Sequence, residues 1–376
     1  MTLLLHTADW QIGRTYTRFA PEDSAALAEA RIATVERLAE RAAERRADAV
    51  LVAGDVFDAQ AISPRTLRRL FNALAPYTGP WVMIPGNHDA ALAEGVWAQA
   101  RRLALLPPNL HLRLQPGIVE LPALKLAVLA APLTQRHTYD DATAWFDAAA
   151  TPAGWLRVGL AHGAVQGLLP QDVDATNPIA PDRAARAHLD YLALGDWHGC
   201  KRIDARCWYA GTPEPERFKD NDPGHLLWVR LEAPGDVPQV EAEAIARHRW
   251  YERALALAVP SDVDAAIAQL DACGAGDVLA LTLAGRVDLA AHQRLQRALQ
   301  AAQARLRALV VDETDLRLAP TAEDIAALRA DGYLGAVIAE LRDAAPAQQR
   351  QAQDALALLA ALLAEQRETA AAEARA

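Results

Sequence analysis

Five short blocks within the first two hundred residues carry side chains of the kind that bind divalent ions: His6-Thr7-Ala8-Asp9-Trp10-Gln11-Ile12-Gly13, Gly54-Asp55-Val56-Phe57-Asp58, Gly86-Asn87-His88-Asp89, Ala161-His162-Gly163 and Gly195-Asp196-Trp197-His198. Together they offer carboxylates, amide oxygens and imidazoles, the donor mix that suits a pair of divalent cations. Such donors act only if the fold brings them together, so the runs before them matter as much. Leu3 to Leu5, Ala49 to Ala53, Trp81 to Ile84, Val158 to Leu160 and Leu192 to Leu194 are short and apolar, and each reads as a buried strand. Strands that end in polar residues deliver them to one edge of an α/β sheet, where a cleft forms.

The intervening segments fit that geometry. Ala25 to Arg46 has apolar or Ala positions at helical spacing and separates the first two strands, as the crossover of a parallel pair requires. Ser63-Pro64 opens a second helix through Leu67, Leu70, Phe71 and Leu74, with Ser at the N-cap and Pro at the first helical position. After His198 the elements shorten to strands at Arg206 to Ala210, Leu226 to Leu231 and Val240 to Ala244, which closes a first domain over 1–245. Over 249–318 the pattern predicts strand Arg253 to Val259, helix Ser261 to Cys273, strand Asp277 to Leu283, helix Leu289 to Leu309 and strand Asp315 to Leu318, a small α/β module. A tail, 320–376, begins at Pro320; Thr321-Ala322-Glu323-Asp324 opens a helix with an apolar stripe at Ile325, Leu328, Leu334, Val337, Ile338 and Leu341. Beyond Pro346 a second stripe runs through Leu356, Leu359, Leu362 and Leu363. Two readings of the tail stay open, a hairpin folded on its own body and a docking element for a partner.

The block order resembles the calcineurin-like metallophosphoesterases, whose pattern runs Asp-x-His, Gly-Asp-x-x-Asp, Gly-Asn-His-Asp, His, Gly-His-x-His. Within that family, His6-Thr7-Ala8-Asp9-Trp10, Ala53-Gly54-Asp55-Val56-Phe57-Asp58 and Tyr209-Ala210-Gly211-Thr212-Pro213 look like the SbcD-type nuclease subunits of DNA repair. The resemblance runs from residue 1 to about 220 and implies an α/β fold, a metallophosphoesterase two-sheet sandwich flanked by helices. It implies one ion on Asp9, Gln11, Asp55 and His198 and a second on Asp55, Asn87, His162 and Asp196, with Asp55 bridging. Two positions depart from the pattern, Gln11 and Asp196 standing where imidazoles are usual. Oxygen donors thereby replace two nitrogens, which favours Mn²⁺ or Mg²⁺ over Zn²⁺.

The same resemblance makes His88 the residue that stabilises the transition state or protonates the leaving oxygen, with the Asp58 carboxylate orienting its ring; the other reading of Asp58 is a helix N-cap. Asp89 reads as holding the Asn87-His88 turn through loop amides, with no part in the chemistry. Implied further are DNA as substrate, hydrolysis by a water whose pKa the ions lower, the 249–318 module as a cap over the active site, and tail helices that dock a coiled-coil SbcC-like ATPase. A homodimer fits the same reading. Two alternatives remain: a small-molecule phosphodiesterase or pyrophosphatase of the same fold, and a binding subunit in which Gln11 and Asp196 mark decay of the metal centre.

Composition bounds these readings. The 376 residues suffice for a large domain with appendages, and no apolar stretch approaches a membrane span. With no basic leader or cleavage pattern at the start, a soluble cytoplasmic protein without membrane attachment is expected. Cys200, Cys207 and Cys273 lack disulfide or zinc spacing, and Cys200 reads as a bystander to His198. The net charge of −10 is not in itself a nucleic-acid signature. Part of it is local, since 320–376 holds nine acidic and five basic residues, and bound ions would offset Asp9, Asp55 and Asp196. Of 38 basic residues only Lys125, Lys201 and Lys219 are Lys. Arg14, Arg18, Lys201 and Arg202 lie near the site blocks in sequence. His6 alternates to the face opposite Asp9.

Overall fold

The five apolar runs are strands in a computed structural model of the chain: β1 (Thr2–Thr7), β2 (Ala49–Ala53), β3 (Trp81–Ile84), β7 (Leu156–His162) and β10 (Tyr191–Gly195). The structure describes residues 1–167, 176–319, 321 and 333–343, with 351, 352, 355, 356, 358, 359, 362, 363 and 366. It divides into two units, Met1–His248 and Arg249–Ala376.

The first unit holds two six-stranded sheets. With β4 (Leu110–Leu112), β13 (His225–Leu231) and β14 (Gln239–Ala244), one sheet has the order β14-β13-β1-β2-β3-β4. With β5 (Gly117–Leu121), β6 (Leu126–Ala131), β11 (Lys201–Arg202) and β12 (Cys207–Tyr209), the other runs β11-β12-β10-β7-β6-β5. β1 to β4 are parallel, as are β6, β7, β10 and β12. The short β8 (Ala164–Val165) and β9 (Pro178–Ile179) pair on their own.

Alternation along each strand sorts side chains between layers. Leu51 and Ala53 face Val128, Ala130, Val158 and Leu160 between the sheets. Val50 and Val52 turn outward onto α1 (Pro21–Glu44), α2 (Pro64–Ala73) and α3 (Val96–Arg102), meeting Val35, Leu38, Leu67, Leu70 and Trp97. The outer face of the second sheet is covered by Phe146 and by Ala184 of the one-turn α4 (Arg183–Arg186). The sandwich flanked by helices is thus the fold of this unit. α1 begins at Pro21, four residues before the predicted start, because Pro at its first position and Glu22 and Asp23 in its first turn suit a helix N-terminus. Ser63 caps α2, its Oγ accepting from the Thr66 N–H at 3.1 Å.

In the second unit β15 (Arg249–Leu257), β16 (Asp277–Val287) and β17 (Ala308–Leu318) form a parallel sheet joined by α5 (Pro260–Asp271) and α6 (Leu289–Arg305). Val263, Leu270, Leu295 and Leu299 pack on Leu279, Leu281 and Leu283. The predicted helix to Leu309 is too long. Leu306 and Leu309 extend the helical period, but Val310 and Val311 are β-branched and pair with Ala280 and Leu281, so the strand claims the segment from Ala308. In the tail, α7 (Tyr333–Arg342) carries Leu334, Val337, Ile338 and Leu341. Ile325 and Leu328 lie outside the described residues. Leu356, Leu359, Leu362 and Leu363 are helical. Among the described residues no helix is long and apolar enough to cross a membrane.

Candidate metal centre

The blocks follow their strands with the backbone forced left-handed: φ is 54° at Asp9, 51° at Gln11, 51° at Asp55 and 103° at Asp196. Non-glycine residues are sterically strained there, and such strain gathers at functional sites. Asp9 N–H donates to Gly54 O at 3.1 Å and Gln11 N–H to Asp55 O at 3.0 Å, so the first two blocks zip together beyond the sheet. The Asp196 N–H donates to both oxygens of Asp9 (3.1 and 3.2 Å), tying in the last block. Close approach requires glycine at two points. A Cβ on Gly86 would lie 2.2 Å from Asp55 Oδ1, and Gly54 (φ +86°) would meet His162 Nδ1 at 2.5 Å.

The result is a buried cluster. Ligand-type atoms of Asp9, Asp55 and His162 all lie within 4.8 Å of one another. His162 Nδ1 bonds to Ala53 O at 2.8 Å, which fixes the proton on that nitrogen and turns Nε2 toward Asp55 Oδ1 (3.6 Å) and Asp196 Oδ1 (3.7 Å). The Asn87 amide is 3.0 Å from Nε2: its oxygen accepts from the ring when both ring nitrogens are protonated, and its nitrogen, turned to that side, donates to a neutral ring and to both oxygens of Asp55. Gln11 Nε2 donates to Asp55 Oδ2 at 2.8 Å, while its Oε1 is buried with no hydrogen-bond partner. Burial pushes Asp9 and Asp196 above the ordinary carboxylate range, against the pull of His198 and His162. Burial would lower the His162 pKa, yet Asp55, Asp9 and Asp196 outweigh it and raise it to about 9.

These residues fit divalent ions. Three carboxylates converge on one imidazole, two of them fully buried, and Gln11, whose nitrogen bonds to Asp55, leaves its amide oxygen buried without a partner; cations would offset the buried charge and could take up the oxygen.

The rim is more exposed. His198 Nδ1 is 2.5 Å from Glu216 Oε1, leaving the other ring nitrogen free. Burial opposes charge on His198, and the Glu216 bond and the nearby Asp9 overcome it and raise its pKa. Glu216 is itself held at about 2, because the His198 bond and neighbouring arginines outweigh its burial. Sequence reading missed Glu216. The available signal was a pair of Glu interleaved with Pro, Pro213-Glu214-Pro215-Glu216, directly after the Tyr-x-Gly-Thr-Pro segment.

The expected Asp58–His88 pairing needs correction. His88 Nδ1 bonds to the main-chain carbonyl of Asp58 at 2.9 Å, while the Asp58 carboxylate turns to Arg14 (3.0 Å). Arg14 also meets Glu216 Oε2 at 3.2 Å; two carboxylates outcompete any third partner for its guanidinium. Asp58 caps no helix either. Asp89 accepts from Gly86, Val56 and Phe57 N–H (2.6, 3.0 and 3.3 Å), holding the Asn87-His88 turn.

Support comes from below. Arg31 is fully buried and donates to Trp10 O, Tyr16 Oη, Thr212 Oγ1 and Glu214 O, locking the first block to 212–214. Tyr209 Oη donates to Gly163 O (2.7 Å) and accepts from Val165 N–H (2.9 Å), which fixes the turn after His162. His6 lies between the sheets, bonded to Tyr191 Oη and Leu194 O, and burial lowers its pKa to about 3. The Cys200 thiol is pushed up to about 11 by burial and stays protonated.

The profile of the calcineurin-like phosphoesterases matches residues 2–228. A curated relative, the D component of the SbcCD nuclease of Rhodobacter capsulatus, is 42% identical over 93 residues, which are 23% of this chain and 22% of that protein. The chain therefore spans about a fifth of the length of the curated relative it matches. Among solved structures, TT1561 of Thermus thermophilus is similar at 14% identity and a TM-score of 0.43, over 65% of this chain and 99% of that one.

Proposed function

The chain belongs to the calcineurin-like phosphoesterase family, and from that premise we propose that it is a two-metal phosphodiesterase that cuts DNA in the manner of the SbcD-type nucleases. Membership implies a metal-dependent hydrolase of phosphate esters. The observation that carries the proposal is the buried cluster of Asp9, Asp55 and His162, with Gln11 Oε1 orphaned beside it. Ions held by Asp9, Gln11, Asp55 and His198, and by Asp55, Asn87, His162 and Asp196, would polarise phosphoryl oxygens and lower the pKa of water.

The chain's own groups do the rest. Ala53 O and Glu216 fix the tautomers of His162 and His198, which turns Nε2 of His162 toward Asp55 and Asp196 and leaves Nε2 of His198 free to ligate. His88 lies outside both ligand sets. Nδ1–H donates to Asp58 O, so Nε2 is the atom left to face the leaving oxygen, where the imidazolium form of His88 would give up its proton. With only two imidazoles among the ligands, Mn²⁺ or Mg²⁺ is preferred to Zn²⁺. The DNA substrate and a coiled-coil ATPase partner, reached through the tail, rest on the likeness to the SbcCD nuclease. So do the capping role of 249–318 and a cytoplasmic location.

The test is cleavage of labelled single-stranded, blunt and hairpin DNA in Mn²⁺ and in EDTA, with metal content measured on the same sample. Mn²⁺-dependent cleavage of any of them supports the proposal. Two bound ions without DNA cleavage, together with turnover of a dinucleotide or pyrophosphate, would favour the small-molecule reading, which the net charge of −10 recommends. No bound metal under any condition would point to a weakened binding subunit, and Gln11, tied to Asp55, is where such decay would begin.

A further inference from the structure

Two of the chain's three lysines meet at one aromatic ring. Lys201 Nζ is 4.6 Å and Lys219 Nζ 4.9 Å from the Trp197 centroid, within cation–π range. Trp197 stands between Asp196 and His198, all three partly exposed, whereas Asp9, Asp55 and His162 behind them are buried. The ring therefore lies on the rim of the metal centre. Both lysines are anchored to the same block. Lys201 is paired in register with Tyr209, whose hydroxyl fixes the His162 turn. Lys219 follows Glu216, the partner of His198, and its segment returns to the block where Cys200 N–H donates to Asp222 O at 2.8 Å.

Neither ammonium has a carboxylate partner among the described residues; of the acids three positions from Lys219, Glu216 pairs with His198 and Arg14, and Asp222 with His225. Two like charges held near one ring repel each other, and a bound anion would relieve the repulsion. Arg14, the basic residue that sequence places closest to the first block, is committed to Asp58 and Glu216 and cannot serve. Beside Lys219, Arg18 stacks over Phe218 at 5.1 Å, which continues the alternation of cation and ring. Such alternation is how proteins track a single strand.

Resting on the nuclease reading, we propose that Trp197, Lys201 and Lys219 form a phosphate clamp that holds the backbone of single-stranded DNA beside the scissile bond. The experiment is anisotropy titration of a labelled single-stranded oligonucleotide with the full chain in EDTA, over a range of salt, alongside Mn²⁺-dependent cleavage of the same strand. Each phosphate contact contributes about 0.7 to the log–log salt slope, so Lys201→Gln with Lys219→Gln should lower the slope by about 1.4 and weaken binding by about tenfold or more. Lys201→Arg with Lys219→Arg should restore the slope, and Trp197→Leu, which frees the ammonium groups to part, should give an intermediate loss. A wild-type chain that cuts DNA while the double Gln variant binds with unchanged affinity and slope overturns the clamp and leaves the nuclease reading intact. A wild-type chain that neither binds nor cuts DNA overturns both.

Discussion

The two units are built by the same rules and end their strands differently. In both, parallel strands are joined by crossover helices, and acidic residues follow the strands. In the second unit those acids serve the next helix: Asp288 follows β16 and accepts from Ala291 N–H at 2.7 Å, and Asp262 accepts from Ala258 and Val259 N–H at 2.8 and 3.0 Å. In the first unit Asp9 and Asp55 sit at left-handed φ, accept no helix N-terminal amide and face one another across His162. Among the described residues of the second unit only Gly285 has a positive φ. A relaxed turn after a strand aims a carboxylate at the next helix, and a strained one aims it into the cleft.

The largest expected effect tests that contrast directly. Asp55→Ala removes the carboxylate proposed to be shared by both ions, and since metal polarisation supplies several kcal/mol, phosphodiesterase activity should fall by about 10³-fold or more, together with Mn²⁺ uptake. Asp288→Ala should cost about 1 kcal/mol of stability, as lost N-caps do, with turnover preserved. Equal losses of activity in the two variants would erase the distinction between the units.

Next in size is His88→Ala, expected to lower turnover by roughly 10²- to 10⁴-fold with metal content unchanged. Asp58→Asn should cost less than about tenfold, well below a lost general acid, because the Asp58 carbonyl that holds His88 remains. Matching losses in the two variants would restore the carboxylate as the orienting group.

That pair also marks what the sequence could and could not reveal. The strands, the Ser63 cap and the position of the polar residues just past each strand are local patterns, and so is the role of Asp89, three residues from the Gly86 amide it accepts from. The His88 partner is not legible in the sequence, because the contact runs through a main-chain carbonyl, which no side-chain motif encodes, and because Arg14 claims the carboxylate. Glu216 escaped for a related reason: its partners, His198 and Arg14, are fixed by how distant segments pack. The end of α6 is not marked by apolar spacing, which does not register that β16 offers an edge to Ala308–Leu318.

The third prediction compares the units by pH. His162 has a folded-state pKa of about 9 against an ordinary 6.5, so the metal-free native state keeps a proton that the unfolded chain releases. The stability it contributes is present below pH 6.5 and is lost as pH rises through 9, a change on the order of 3 kcal/mol. His198, raised in the same direction, adds to it. In the second unit Asp277 is the one charged side chain buried among the described residues, and it pairs with Arg249. Calorimetry in EDTA from pH 6.5 to 9 should therefore show the first unit melting progressively earlier and the second holding steady. Mn²⁺ needs the neutral imidazole, so its stabilising effect should grow over the same range. An unchanged slope in His162→Gln would assign the pH dependence elsewhere.

The smallest effect concerns Glu216. One of its oxygens holds His198 at 2.5 Å, the other meets Arg14 at 3.2 Å, and Arg14 reaches Asp58, whose carbonyl holds His88. A single buried carboxylate thus connects both histidines of the rim. Glu216→Gln keeps the size and one acceptor oxygen but removes the charge that balances Arg14 and favours the His198 tautomer proposed to ligate. Loss of such an orienting partner typically costs about 10- to 100-fold in metal affinity or activity. Calorimetric titration with Mn²⁺ should find one ion weakened and the ion on the His162 side little changed. Equal weakening of both would mean that Glu216 props the whole rim, and no change would remove His198 from the ligands. The control lies in the other unit: Asp277 and Arg249 form a pair of the same chemistry at 3.1 Å with no histidine attached, so Asp277→Asn should lower the melting temperature of that unit and leave Mn²⁺ binding as it was.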